Sequence, residues 1–81
     1  MRLIGRSGSL SRRKKDSILT ARERQVLEWV ARGKSAREIG EILDIAKRTV
    51  DAHVNSAVRK IGAVNRINAV ALAIGERIID V

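Results

Sequence analysis

Residues 35–62 read SAREIGEILDIAKRTVDAHVNSAVRKIG, and their spacing decides the fold. Ser35 followed three residues later by Glu38 is a capping box. The hydroxyl accepts from the backbone at Glu38 while the carboxylate reaches back to the cap. Ile39, Ile42 and Leu43 then fall at i, i+3 and i+4, one face of a helix of about nine residues. Leu43-Asp44-Ile45 makes a tight connection, and a longer helix runs from about Lys47 to Ile61. Its apolar positions Val50, Val54, Ala57, Val58 and Ile61 share one buried face, and Gly62 stops it. A short helix joined by a three- or four-residue turn to a longer one is a helix-turn-helix. Gly40 fits that layout, since a missing side chain lets the two helices cross closely.

Upstream, Thr20-Ala-Arg-Glu23 is a second capping box. Val26, Leu27 and Val30 form its apolar stripe, and Gly33 ends that helix in the left-handed conformation. Downstream, Asn65 caps a fourth helix that is apolar over more than one stripe, through Ile67, Ala69, Val70, Leu72, Ala73 and Ile74. The expectation is an all-α, compact four-helix domain over residues 17–81, preceded by a flexible basic tail or interdomain linker over residues 1–16. That tail carries six Lys and Arg against one acid. With five Gly and Ser and few apolar residues, it buries too little surface to order itself. It reads as a solvated linker, as a basic arm for DNA phosphates or the minor groove, or, through Arg12-Arg13-Lys14-Lys15, as an import signal.

The whole chain has 81 residues and a formal net charge of +8. That length excludes barrels, dinucleotide-binding folds and two-domain enzymes. Without cysteine there is no disulfide framework, thiol nucleophile or Cys-rich zinc site, and a lone His53 cannot fill a metal shell. Trp29 is the one aromatic residue, which argues against base-stacking platforms for single strands. No apolar run approaches the ~20 residues of a membrane span, and the first eleven residues lack a signal-peptide core. A strongly basic chain of this kind expects a polyanionic partner in a reducing compartment, and no membrane or small-molecule substrate.

Turning Val50, Val54, Ala57 and Ile61 inward leaves Arg48, Asp51, Ala52, Asn55 and Arg59 on the opposite face of the long helix. The middle of that face is short and polar. Asn pairs bidentately with adenine, Asp accepts from cytosine N4, and Ala meets a thymine methyl in a major groove. Lys47, Arg48, Arg59 and Lys60 flank it, placed for phosphates, although a solvated helix face carries similar residues.

The run from Leu19 to about Ala73 resembles the LuxR-type helix-turn-helix domain, also called the FixJ or GerE type. The resemblance rests on Leu19-Thr20, Arg22-Glu23, Leu27, Gly33-Lys34-Ser35, Glu38-Ile39, Thr49-Val50, His53-Val54, Arg59-Lys60 and Asn65-Arg66, all in register. It implies a bacterial transcription regulator's DNA-binding domain, with no chemistry of its own. Such a domain acts as a homodimer on a pseudo-palindromic site in double-stranded DNA, with the third helix of each subunit in the major groove. It is cytoplasmic and nucleoid-associated, and RNA polymerase is a further expected partner. The setting of Trp29 in VLEWVARGKS resembles the quorum-sensing branch, in which an acyl-homoserine lactone binds a separate N-terminal domain. No cofactor is expected in this chain.

By the same resemblance, Asp51, Ala52 and Asn55 hold base-reading positions beside Arg48. Lys34, Ser35, Thr49, His53 and Lys60 contact phosphate or buttress the helix, joined in the phosphate set by Lys47 and Arg59. Ala69, Leu72, Ala73 and Glu76 line the dimer interface. Glu23 is expected to be structural, through its cap and a buried pair with a basic residue. Three departures stand out. Relatives often carry Lys or Arg where Asp51 and Asn55 stand, so either the operator differs there or Asp51 orients Arg48. Ala46 replaces a common serine cap, and Asp44 replaces a common glycine in the turn. A second function remains open from the residues alone: a protein-interaction module that pairs with a regulator through the fourth helix without reading DNA.

Overall fold

A computed structural model describes residues 18–80. Four helices follow in order: α1 (Ala21–Ala31), α2 (Ala36–Leu43), α3 (Lys47–Ile61) and α4 (Arg66–Gly75), with no strand among the described residues. The all-α architecture and the order of its helices therefore agree with the sequence pattern. The basic tail over residues 1–16 lies outside the described residues.

Each helix start is a local hydrogen-bond solution, except one. Thr20 Oγ1 accepts from the Glu23 N–H at 3.1 Å, and the Thr20 N–H donates back to Glu23 Oε1 at 2.9 Å. Ser35 and Glu38 repeat this at 3.1 and 2.8 Å. The bonds from Ser35 hold the Glu38 carboxyl below its ordinary range. At α4, Asn65 Oδ1 accepts from the Asn68 N–H at 2.8 Å while Asn68 Oδ1 accepts from the Val64 N–H at 3.0 Å. Only α3 starts without a side-chain cap, because Ala46 has no oxygen to offer.

The helix ends share one device, a residue in the left-handed region just past the last turn. Gly33 (φ +91°), Asp44 (φ +59°), Gly62 (φ +79°) and Arg77 (φ +61°) fill it for α1 to α4. At α1, α3 and α4 the two bonds of a Schellman motif are present: Gly33 N–H to Val30 O and Lys34 N–H to Trp29 O, with counterparts at Gly62-Ala63 and Arg77-Ile78. Asp44 thus tolerates the position expected of it. Arg77 does the same with no such expectation.

Gly40 is needed for a different reason from the one its position suggests. What comes close is the backbone of the turn: a Cβ there would lie 2.7 Å from the Ile45 carbonyl oxygen, below any real contact. The glycine therefore lets the turn fold back on α2 and fixes how α3 leaves it.

Two clusters of buried side chains form the core. Val26, Ala36, Ile39, Val50 and Val54 hold α1, α2 and α3 together, with Trp29, Val30, Leu43 and Ile45 packed at their edge. Leu19, Leu27, Ala57, Ala69, Ala73, Ile78 and Ile79 hold α4 on α1 and α3. Thus α1 and α3 each pack against all other helices, while α2 and α4 sit on opposite sides of them. The stripe expected on α2 is corrected at Ile42, which is 45% exposed. Eight residues make barely two turns, and the inward arc is filled by Ala36, Ile39 and Gly40. Beyond α4 the chain folds back: Ile78 and Ile79 are buried, and the Asp80 N–H reaches Glu28 Oε2 at 3.3 Å.

Candidate nucleic-acid interface

The long helix α3 presents two opposite faces. Val50, Val54 and Ala57 are buried. Because each residue turns the helix by ~100°, Arg48, Ala52, Asn55 and Arg59 cluster about one line on the far side, and all four are exposed. No described residue covers that line, and a cation, Arg48 or Arg59, stands at each of its ends.

The flanks of the line differ. On one side Asp51 is half-buried, and its Oδ2 accepts from Lys47 Nζ at 2.9 Å. Asp51 is therefore joined to Lys47 rather than to Arg48, which corrects the idea that it orients Arg48. On the other side lie Thr49 and His53, both half-buried, and then Ser56 and Lys60. These last two converge on Glu23 from α1. Ser56 Oγ donates to Glu23 Oε2 at 2.6 Å, and Lys60 Nζ donates to Glu23 Oε1 at 2.8 Å. Glu23 is 5% exposed. Burial alone would raise its carboxyl, yet the bonds from Lys60, Ser56 and the Thr20 backbone together outweigh it and hold the group at about 2. This charge-assisted cluster pins the angle of α3 on α1. The structural role expected of Glu23 is what the geometry provides, with Ser56 as a partner that no local spacing announces, 33 residues away.

Lys34 and Ser35 stand exposed where the chain enters α2, the Ser35 oxygen already engaged by its cap. Arg32 lies over the Trp29 ring at 5.4 Å, so Trp29 is half-buried filler at the edge of the core with a cation on its outer face. Among the described residues no group of three His, Cys, Asp or Glu could hold a metal, and no helix is long and apolar enough to cross a membrane.

Residues 17–73 match the family described as bacterial regulatory proteins, luxR family (GerE). The chain belongs to this luxR family. Among similar curated proteins, the transcriptional activator protein BjaR1 of Bradyrhizobium diazoefficiens is 60% identical over 62 residues, 76% of this chain and 26% of that protein. The transcriptional activator protein LuxR of Aliivibrio fischeri is 41% identical over 64 residues, 79% and 26% of the two chains. A quorum sensing-dependent transcriptional regulator of Rhodopseudomonas palustris, RpaR, is 52% identical over 56 residues, 69% and 23%. The chain thus spans about a quarter of the length of these relatives. Among solved structures, the transcription factor GerE superposes with a TM-score of 0.74 at 27% identity, covering 78% of this chain and 94% of that one.

Within this luxR-family fold, Arg48, Ala52 and Asn55 come together on one exposed line, with Asp51 at its edge. One group of expectations is corrected. Ala69 and Ala73 are 0% exposed, closed inside the domain's own core, and so cannot line a partner surface. Leu72 and Glu76 do reach the surface. What α4 turns outward instead is Ile67, Ala71 and Ile74, continued by Val64 in the preceding turn; Val64 is 84% and Ile67 78% exposed. Alanine goes inward here because close helix packing leaves no room for a larger side chain.

Proposed function

We propose that this chain is a sequence-specific, double-stranded-DNA-binding domain of a bacterial transcription regulator, linked to quorum sensing as several of its relatives are by name. The carrying observation is the exposed line Arg48, Ala52, Asn55, Arg59 on a helix whose opposite face is locked into the core. Such a helix enters a major groove of ~12 Å width. Asn55 pairs with adenine, Ala52 meets a thymine methyl and Arg48 takes guanine or an adjacent phosphate. Asp51 accepts from a cytosine amino group. Lys34, Ser35, Thr49, His53 and Arg59 contact the backbone and set register, while Lys60 acts chiefly by tying α3 to Glu23.

Two copies pair through the outward face of α4, with Ile67, Ala71, Leu72, Ile74 and Glu76 in the contact. That pairing puts one α3 of each subunit in successive major grooves about 34 Å apart on a pseudo-palindrome. The site of action is the bacterial cytoplasm, RNA polymerase is a further partner, and we assign no catalytic chemistry to the chain.

Binding of duplex DNA, measured against salt, tests this reading. If each subunit neutralises about four phosphates, log K falls with log salt at a slope of about −7 for the dimer. Asn55→Ala weakens binding by roughly 1 to 3 kcal/mol and relaxes one base pair per half-site. A flat salt dependence, with no sequence enriched from a random duplex pool, overturns the reading and leaves a protein-interaction module.

A further inference from the structure

The Lys47–Asp51 pair is poorly placed to stabilise its helix. Lys47 opens α3 and Asp51 follows four residues later, the reverse of the order that favours a helix, in which the acid precedes the base. The first turn of α3 holds no acid and no side-chain cap, so a cation stands at the positive end of the helix dipole. The two side chains are 65% and 42% exposed, yet they meet at 2.9 Å on the border of the face that Arg48, Ala52 and Asn55 occupy. An acid beside a surface meant for a polyanion lowers affinity unless it does something selective.

We propose that Lys47 and Asp51 form a specificity-determining unit that chooses by exclusion. The proposal rests on the DNA-binding reading above and deepens it. Lys47 holds the Asp51 carboxylate against the base edges and cancels its repulsion of the phosphates. The carboxylate has only acceptor oxygens. It takes a hydrogen bond from the cytosine N4 amino group and is repelled by the acceptors guanine O6 and N7, thymine O4 and adenine N7. Lys47 is then a positioning residue for Asp51 rather than a phosphate anchor, and the pair adds discrimination without adding attraction.

The test is selection of bound duplexes from a random pool by the 81-residue chain and by the variants Asp51→Asn and Lys47→Ala, with salt slopes measured on the selected site. Melting curves within a few degrees of the parent's establish that both exposed variants fold. The parent enriches cytosine at one position per half-site. Asp51→Asn loses that preference by roughly tenfold and admits adenine, because an amide both donates and accepts. It also steepens the salt slope by about 1 per subunit, since Lys47 is unmasked. Lys47→Ala blurs the same base pair. An unchanged motif for Asp51→Asn overturns the proposal, as does a slope reduced by about 1 per subunit for Lys47→Ala with the motif intact. If the parent itself enriches nothing, the DNA-binding reading fails first and this proposal falls with it.

Discussion

The two halves of the core are built on different principles. Around α2, large side chains do the filling: Ile39, Val26 and Val50 are fully enclosed. Around α4, three alanines, Ala57, Ala69 and Ala73, sit at the helix contact, and the bulk comes from Leu27 and from Ile78 and Ile79, which lie beyond α4. The first half is closed by α1, α2 and α3 and holds the exposed line of α3 in place. The second is closed by the end of the chain and turns Ile67 and Ile74 to the outside. One half is organised for a rigid face and the other for a close-packed helix with a free apolar side.

The difference predicts opposite weaknesses. Removing volume should break the first half: Ile39→Ala, at a fully enclosed site, lowers stability by about 4 kcal/mol in urea unfolding, since lost burial and a cavity add. Adding volume should break the second: Ala73→Leu costs about 2 kcal/mol, less because α4 has neighbours on one side only and can move outward. If Ile39→Ala proved the milder of the two, the distinction between the halves would be wrong.

Glu23 ties α1 to α3, the two helices that both halves share, and acid tests that joint. Its carboxyl lies at about 2 in the fold against an ordinary 4.5, so the folded form binds this proton less readily than the unfolded chain. The stability it contributes is therefore complete above about pH 4.5 and is lost as the pH falls toward 2. The total is about 3 kcal/mol at low salt, and less at high salt because Lys60 is partly solvated. Urea midpoints measured between pH 6 and pH 2 should show this loss, and Glu23→Gln should flatten it. An equal acid loss in Glu23→Gln would place the titration elsewhere.

Much of the first half is legible in the sequence because its signals are local. Thr20 with Glu23 and Ser35 with Glu38 state two helix starts within four residues each, and the period of Val50, Val54 and Ala57 states the buried face of α3. The second half is less legible. Hydrophobicity alone ranks Ile67 and Ile74 ahead of Ala69 and Ala73 for the interior, and close helix contact reverses the order. Ile78 and Ile79 follow a left-handed residue that breaks the period, so no helical spacing marks them as core. The same holds for the site. Lys47 and Asp51 are at a pairing distance along a helix, but Glu23 with Ser56 and Lys60 spans more than thirty residues, a contact that only the packed fold creates.

The smallest expected effect compares the ends of α2 and α4, where each half places a side chain in the left-handed region. Asp44 and Arg77 have nearly the same φ, +59° and +61°. A Cβ in that region crowds the following carbonyl, at a cost of roughly 1 to 2 kcal/mol, and Asp relieves part of it by short-range hydrogen bonding whereas Arg has no such device. Glycine removes the crowding but enlarges the freedom of the unfolded chain, which offsets part of the gain. Arg77→Gly should therefore raise stability by about 1 kcal/mol, and Asp44→Gly by only a few tenths, in thermal unfolding read side by side. Because Arg77 is the residue that turns the chain so that Ile78 and Ile79 reach the core, a gain there also tightens the second half. If Asp44→Gly were instead the more stabilising change, the strain would lie in the turn of the first half and not at the end of α4.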